Sequence, residues 1–265
     1  QNCQRIAGPG RNRPTMTVSF DFSNRNFVVT GASSGIGRQI CIDLARANAR
    51  VLALARRLPL LQTLQQQAPD HIFIEAVDVT DLQAFGACIK TFAQQYPIHG
   101  SVHAAGNLHL MPLRAQNNAR VEAMWKTHWL AGMELLRLTT ANKQQARNSA
   151  HVWIASIAAQ RGQIGFAAYS AVKNAMIASA RSAALELAPY QIRINTISPG
   201  WVEGTDMSAQ VSALLGTPQD DPANRPPLGY GQPKDVSALT LFLLSDAASW
   251  ITGANFVIDG GASIH

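Results

Sequence analysis

Charged residues are scarce in this chain of 265 residues, at 14%, while 47% are hydrophobic. That balance excludes intrinsic disorder and leaves material for a substantial core. Cysteine is scarcer still. Cys3, Cys41 and Cys88 lie far apart, with no CxxC pair and no even framework. They predict neither a disulfide scaffold nor a thiolate metal site, and a reducing, cytoplasmic setting is expected. None of the 7 histidines falls in an HExxH or other ligand spacing, so no metal is expected. No apolar run approaches the roughly 20 residues a membrane helix needs. Residues 1–15 also lack the apolar stretch of a secretory signal, so no membrane association is expected.

The formal net charge is +6, from 22 basic and 16 acidic residues. Arg5, Arg11 and Arg13 supply three of those positive charges, in a polar stretch that precedes the first methionine, Met16. Residues 1–15 are expected to be a tag or a disordered arm, and 16–265 a single domain. Without the arm, 19 basic residues face 16 acidic ones, a net of +3, and no dense basic run appears. Nucleic-acid binding is therefore not expected. A mild basic excess suits a pocket for an anionic cofactor.

What the chain does have is alternation. Strands are expected at 26–30, 50–55, 71–77, 100–105, 150–155, 192–198 and 255–258. Helices are expected at 36–47, 58–67, 81–95 with Asp81 as N-cap, a long one near 118–147, then 167–188 and 233–245. Repeated strand–helix units mean crossover connections and a parallel sheet. The expected class is α/β: a single-domain, Rossmann-like, doubly wound parallel sheet with helices on both faces. The segment 201–230 breaks the rhythm with Pro218, Pro222, Pro226 and Pro227. A long loop in a small domain is usually functional, so this one is expected to be a lid, with a short helix at 208–215.

Thr30-Gly31-Ala32-Ser33-Ser34-Gly35-Ile36-Gly37 follows the first strand and opens the first helix. Glycines allow a tight turn and a close approach of pyrophosphate to the backbone, and a helix N-terminus offers free N–H groups and a positive dipole. The spacing is GxxxGxG. About twenty residues on, an NAD site would place an acid to bind the ribose 2′-hydroxyl. Here that place reads Ala55-Arg56-Arg57. Two guanidiniums could bind a 2′-phosphate, which favours NADP(H), with NAD(H) the lesser alternative. Asp78-Val79, after the third strand, could contact the adenine.

Tyr169 and Lys173 stand four apart, on one helix face. A free tyrosine titrates near 10, so acid–base work at neutral pH needs about three units of help. A neighbouring ammonium helps with the right sign, by favouring phenolate. Ser156, at the end of the fifth strand, can reach the phenol and hold the carbonyl oxygen that Tyr169 protonates.

These residues resemble the short-chain dehydrogenase/reductase family, in its short single-domain branch. The resemblance runs from Phe20 to the C-terminus. It rests on residues 30–37, Asp78-Val79, Ala105-Gly106, Ser156, Tyr169, Lys173, Ile192-Arg193-Ile194-Asn195, Ser198-Pro199-Gly200, residues 251–255 and Asp259-Gly260-Gly261. Within the branch it is most similar to 3-oxoacyl-carrier-protein reductases and their relatives of other specificity. The resemblance implies hydride transfer between NADP(H) and a small-molecule carbonyl or secondary alcohol. Tyr169 would pass the proton, Ser156 position the oxygen, and Lys173 hold the nicotinamide ribose and lower the tyrosine pKa. Pro199, Gly200, Val202 and Thr205 would sit near the nicotinamide, and a homotetramer or homodimer is implied. Gln163, Ile164 and Met207 are candidate walls of the substrate pocket.

Three positions depart from the family pattern. His103-Ala104-Ala105-Gly106 stands where Asn-Asn-Ala-Gly is usual. Counting back three from Gly132, where an asparagine supports a proton-relay water, gives Trp129, with His128 beside it. Arginines that would suit an acidic carrier protein are matched at Arg147 but not at Tyr190. Two other readings stay open: a 3-oxoacyl-carrier-protein reductase proper, and a protein that binds NADP(H) without catalysis.

Overall fold

The strands come from segments with apolar residues at strand spacing, and the stretches with helical apolar spacing cover them. The computed structural model describes residues 19–141, 145–215 and 225–264; the expected arm at 1–15 lies outside the described residues. In chain order the elements are β1 (Asn26–Thr30), α1 (Gly35–Arg46), β2 (Arg50–Ala55), α2 (Leu58–Gln65), β3 (Ile72–Ala76), α3 (Leu82–Gln95) and β4 (Ile98–His103). There follow α4 (Asn118–Trp125), α5 (Ala131–Thr139), β5 (Gln145–Ile154), α6 (Ala167–Leu187), β6 (Arg193–Pro199), α7 (Asp206–Leu215), α8 (Pro233–Leu244) and β7 (Asn255–Ile258). Asp81 caps α3 as expected, accepting from the Ala84 amide at 3.0 Å.

The strands form one sheet of seven, ordered β3-β2-β1-β4-β5-β6-β7 and parallel throughout. Strand side chains alternate between the faces. Phe27 and Val29 of β1 pack with Ile40 and Leu44 of α1 and Leu241 of α8. Val28 between them joins Phe85 and Ile89 of α3 and Leu135 of α5 on the opposite face. The expected doubly wound, Rossmann-like class is what the chain adopts. Its strand order reverses between β1 and β4, and ligands of such sheets bind at the carboxyl ends beside that reversal.

The long helix expected at 118–147 is corrected. It is broken by a π-helical turn over Lys126–Leu130, and α5 ends at Thr139. Pairing with β4 captures the following segment, so β5 starts at Gln145 and Arg147 lies in a strand. The lid helix starts at Asp206, two residues earlier than expected, because the Thr205 hydroxyl accepts from the Ser208 amide at 3.0 Å. Residues 216–224 of the expected lid segment lie outside the described residues. Among the described residues no helix is long and apolar enough to cross a membrane.

Candidate active site

The turn after β1 needs its glycines for two different reasons. Gly31 has φ +70°, where a side chain is strained. Gly37 lies so close to the turn that a Cβ there would be 2.4 Å from the Gly31 carbonyl oxygen. The first turn of α1 carries no acid, and no side chain caps it. Its first amides therefore remain donors for an anion. Arg57 reaches this turn. Its Nε and Nη2 donate to the Ser33 hydroxyl at 3.2 and 3.0 Å, and Nη2 donates to the Ser34 hydroxyl at 2.7 Å. Arg56 does not: it is mostly exposed and lies 4.0 Å from Asp78. The Asp78 carboxylate accepts from the Thr80 amide and hydroxyl, as a turn residue does, and Val79 is buried. The donor set of the turn and Arg57 fits a phosphorylated dinucleotide.

At the end of β4 two of the three departures from the family pattern meet. The Thr30 hydroxyl accepts from the amides of Ala104 and Ala105, at 3.2 and 3.1 Å. Its own proton is then free for His103 Nδ1, 2.9 Å away. That fixes the His103 proton on Nε2, which donates to the carbonyls of His128 and Thr127 at 2.9 and 3.1 Å. Burial, reinforced by the Lys173 charge, brings the His103 pKa down to about 4, so the ring is neutral. His103 thus ties the crevice loop to the π-helical turn.

That turn decides which residue faces the site. A π-helical turn holds an extra residue, so a count of three back from Gly132 does not by itself decide between Trp129 and His128. Trp129 turns away; its Nε1 donates to the Ser179 hydroxyl at 2.8 Å, and its ring lies 5.0 Å from that of Trp125. His128 is the inward residue. It is fully buried, its ring packs edge-on against Tyr169 with centroids 5.7 Å apart, and its Nε2 lies 2.7 Å from the Asn107 carbonyl. Its Nδ1 is buried without a partner and faces Gly106, where a Cβ would meet the ring at 2.5 Å.

Ser156, Tyr169 and Lys173 come together at the carboxyl end of β5. The Ser156 hydroxyl accepts from the Ala158 amide at 3.1 Å and lies beside the Tyr169 phenol. Lys173 is buried one turn along α6 from Tyr169. Its Nζ donates to the Ile154 carbonyl at 2.7 Å and lies 5.6 Å from the centre of the phenol ring. Burial of both groups opposes the lowering of the tyrosine pKa expected from the Lys173 ammonium. Burial pushes the Tyr169 phenol up, with the Ser156 hydroxyl opposing it, and burial brings Lys173 down to about 7. A low-dielectric site disfavours both charges, so at rest the phenol is neutral.

Gly200 donates to the Ile258 carbonyl at 3.0 Å, following Pro199 at the end of β6, and Val202 bridges to Gly231. Thr205 abuts the glycine turn, its Cγ2 lying 3.1 Å from where a Gly35 Cβ would be. Met207 touches the site; the Tyr169 hydroxyl donates to its sulfur at 3.6 Å. Gln163 and Ile164 are exposed on their loop. Sequence reading missed the pairing of Asp206 with Arg57 at 2.8 Å, and Leu108 and Met111 in the apolar wall around Tyr169. Neither leaves a local signal, since both depend on residues brought together from distant parts of the chain.

A family model described as Enoyl-(Acyl carrier protein) reductase matches residues 31–263. The chain is 32% identical to D-erythrulose reductase of Gallus gallus, over 93% of this chain and 98% of that protein. It is 30% identical to L-xylulose reductase of Caenorhabditis elegans, over 94% of this chain and 99% of that one. The structure of a proposed NAD(P)-dependent gluconate 5-dehydrogenase from Beutenbergia cavernae, with bound NADP at low occupancy, superposes with a TM-score of 0.86. The two are 28% identical, covering 94% of this chain and all (100%) of that one. With its parallel sheet, glycine turn and serine–tyrosine–lysine cluster, the chain belongs to the short-chain dehydrogenase/reductase family of oxidoreductases.

Proposed function

We propose that this protein interconverts a carbonyl and a secondary alcohol with NADP(H), Tyr169 being the acid/base. The convergence of the Ser156 hydroxyl, the Tyr169 phenol and the Lys173 amine beside the glycine turn carries this reading. Gly31, Ser33, Ser34, Gly35, Ile36 and Gly37 would hold the cofactor phosphates, and Arg57 the 2′-phosphate with Arg56 at its edge. Asp78 and Val79 would meet the adenine, and Ala105 and Gly106 the adjoining ribose. Tyr169 and Lys173 would hold the nicotinamide ribose, with Pro199, Gly200, Val202 and Thr205 near the nicotinamide.

When bound, NADP(H) supplies or accepts the hydride at the substrate carbon. Ser156 holds the substrate oxygen, and Tyr169 gives its phenolic proton to that oxygen in the reducing direction and takes it back in the other. A protonated Lys173 favours the phenolate left behind. Met207 walls the substrate and α7 closes over it, with Gln163 at the rim. The relatives named for D-erythrulose and L-xylulose point to a small hydroxylated ketone. A groove between α5 and α6, lined by Met133, Leu136, Ala178 and Ala183, suits a homotetramer or homodimer. The free thiols Cys41 and Cys88 suit the cytoplasm.

The test is NADPH oxidation across small ketones, including these two, with Tyr169→Phe as control. Wild type should exceed the variant by roughly a hundredfold or more. Equal rates across the panel would refute the acid/base role, and tighter binding of NADH than of NADPH would refute the cofactor assignment.

A further inference from the structure

Asp206 has no part in that reading, yet its carboxylate sits on the donors assigned to the 2′-phosphate. One of its oxygens lies 2.8 Å from Arg57 Nη2 and accepts from the Ser34 hydroxyl at 2.9 Å. The same Arg57 nitrogen donates to both Ser33 and Ser34. The Ser34 bond, and after it the Arg57 charge, hold the Asp206 carboxyl below the usual carboxylate range, so it is an anion at neutral pH. Its neighbours fix its position. Thr205 packs against Gly35 on one side, and Met207 touches the Tyr169 hydroxyl on the other. Asp206 is thus held at the phosphate turn by the fold of the lid helix and is not a freely swinging surface acid.

We infer that Asp206 is a specificity-determining residue for the cofactor: its carboxylate competes with the 2′-phosphate for Arg57 and Ser34 and so narrows the preference for NADP(H). The inference rests on the assignment of Arg57 to the 2′-phosphate made above. A phosphate must displace the carboxylate from the guanidinium or bind beside it, and two anions on one cation repel. NADH carries no 2′-phosphate, so its binding leaves the Asp206–Arg57 pair intact. Arg57 and Asp206 side chains are 46% and 64% exposed. Solvent screens such a pair, so the effect is modest, roughly two- to fivefold in affinity.

The test measures dissociation constants of NADPH and NADH by tryptophan fluorescence at low ionic strength. The proteins are wild type, Asp206→Asn, Arg57→Leu and the double variant. Asp206→Asn should tighten NADPH two- to fivefold and NADH less, and the gain should vanish in the Arg57→Leu background. NADPH affinity that stays unchanged or weakens, equal tightening of both cofactors, or a gain that survives without Arg57 each overturns the inference. The Arg57→Leu arm reports the underlying assignment separately. If that change leaves NADPH binding unaltered, the 2′-phosphate assignment falls, and the inference with it.

Discussion

Replacing Lys173 by methionine should stabilise the cofactor-free protein most at low pH, although it removes a residue assigned to the reaction. Lys173 is 4% exposed, and its Nζ donates to the Ile154 carbonyl. Burial lowers its pKa from 10.5 to about 7. The unfolded chain binds the proton more tightly than the folded one, so the ammonium opposes folding. The cost is complete below the folded value, at about 5 kcal/mol for a shift of this size, and disappears as pH rises towards the unfolded value. Between pH 6 and 9, wild type should gain roughly 3 kcal/mol relative to Lys173→Met. Methionine has nearly the same reach and no charge. Loss of the bond to Ile154 adds an offset of about 1 kcal/mol that does not depend on pH. Guanidinium titrations of both proteins at four pH values, at matched protein concentration, read the difference directly. A gap that stays constant with pH, or one in which wild type falls behind as pH rises, would refute the claim that burial disfavours the ammonium.

Other perturbations test the rest of the architecture. Burial holds His103 at about 4, His151 at about 3 and His128 well below its ordinary value. All three are neutral in the fold and gain protons on unfolding below about pH 6.5, so stability should fall by roughly 4 kcal/mol per pH unit between pH 6 and 5. Urea titrations check this slope, and His151→Asn should reduce it by about a third. Gly37→Ala puts a Cβ 2.4 Å from the Gly31 carbonyl oxygen; it should cost about 1–3 kcal/mol in denaturant unfolding and weaken NADPH binding. Asp81→Ala leaves the Ala84 amide without its cap and should cost about 1 kcal/mol, measured the same way.

Much of the fold was legible because its signals are local. The glycine turn, the Asp81 cap and the alternation of strand and helix each depend on residues within a few positions of one another. The helix near 118–147 was not legible in this way. Its polar end carries no breaker strong enough to mark where α5 stops, and only pairing with β4 turns the segment from Gln145 into strand. The π-helical turn is likewise invisible to a count of three residues back from Gly132. The sequence offered Trp129 and His128 side by side, and only the structure turns Trp129 to Ser179 and His128 to Tyr169.

The sequence by itself determined the parallel α/β class, from the alternation of strand and helix, and singled out Ser156, Tyr169 and Lys173 as candidates through their order, spacing and family resemblance. The tertiary structure decided the electrostatics. It buried Tyr169 and Lys173 so that neither charge is favoured, placed neutral His103 and His128 behind them, and set Asp206 on Arg57. The physical reason is that desolvation and charge pairing depend on neighbours from distant segments, and these become neighbours only once the sheet and its helices have packed.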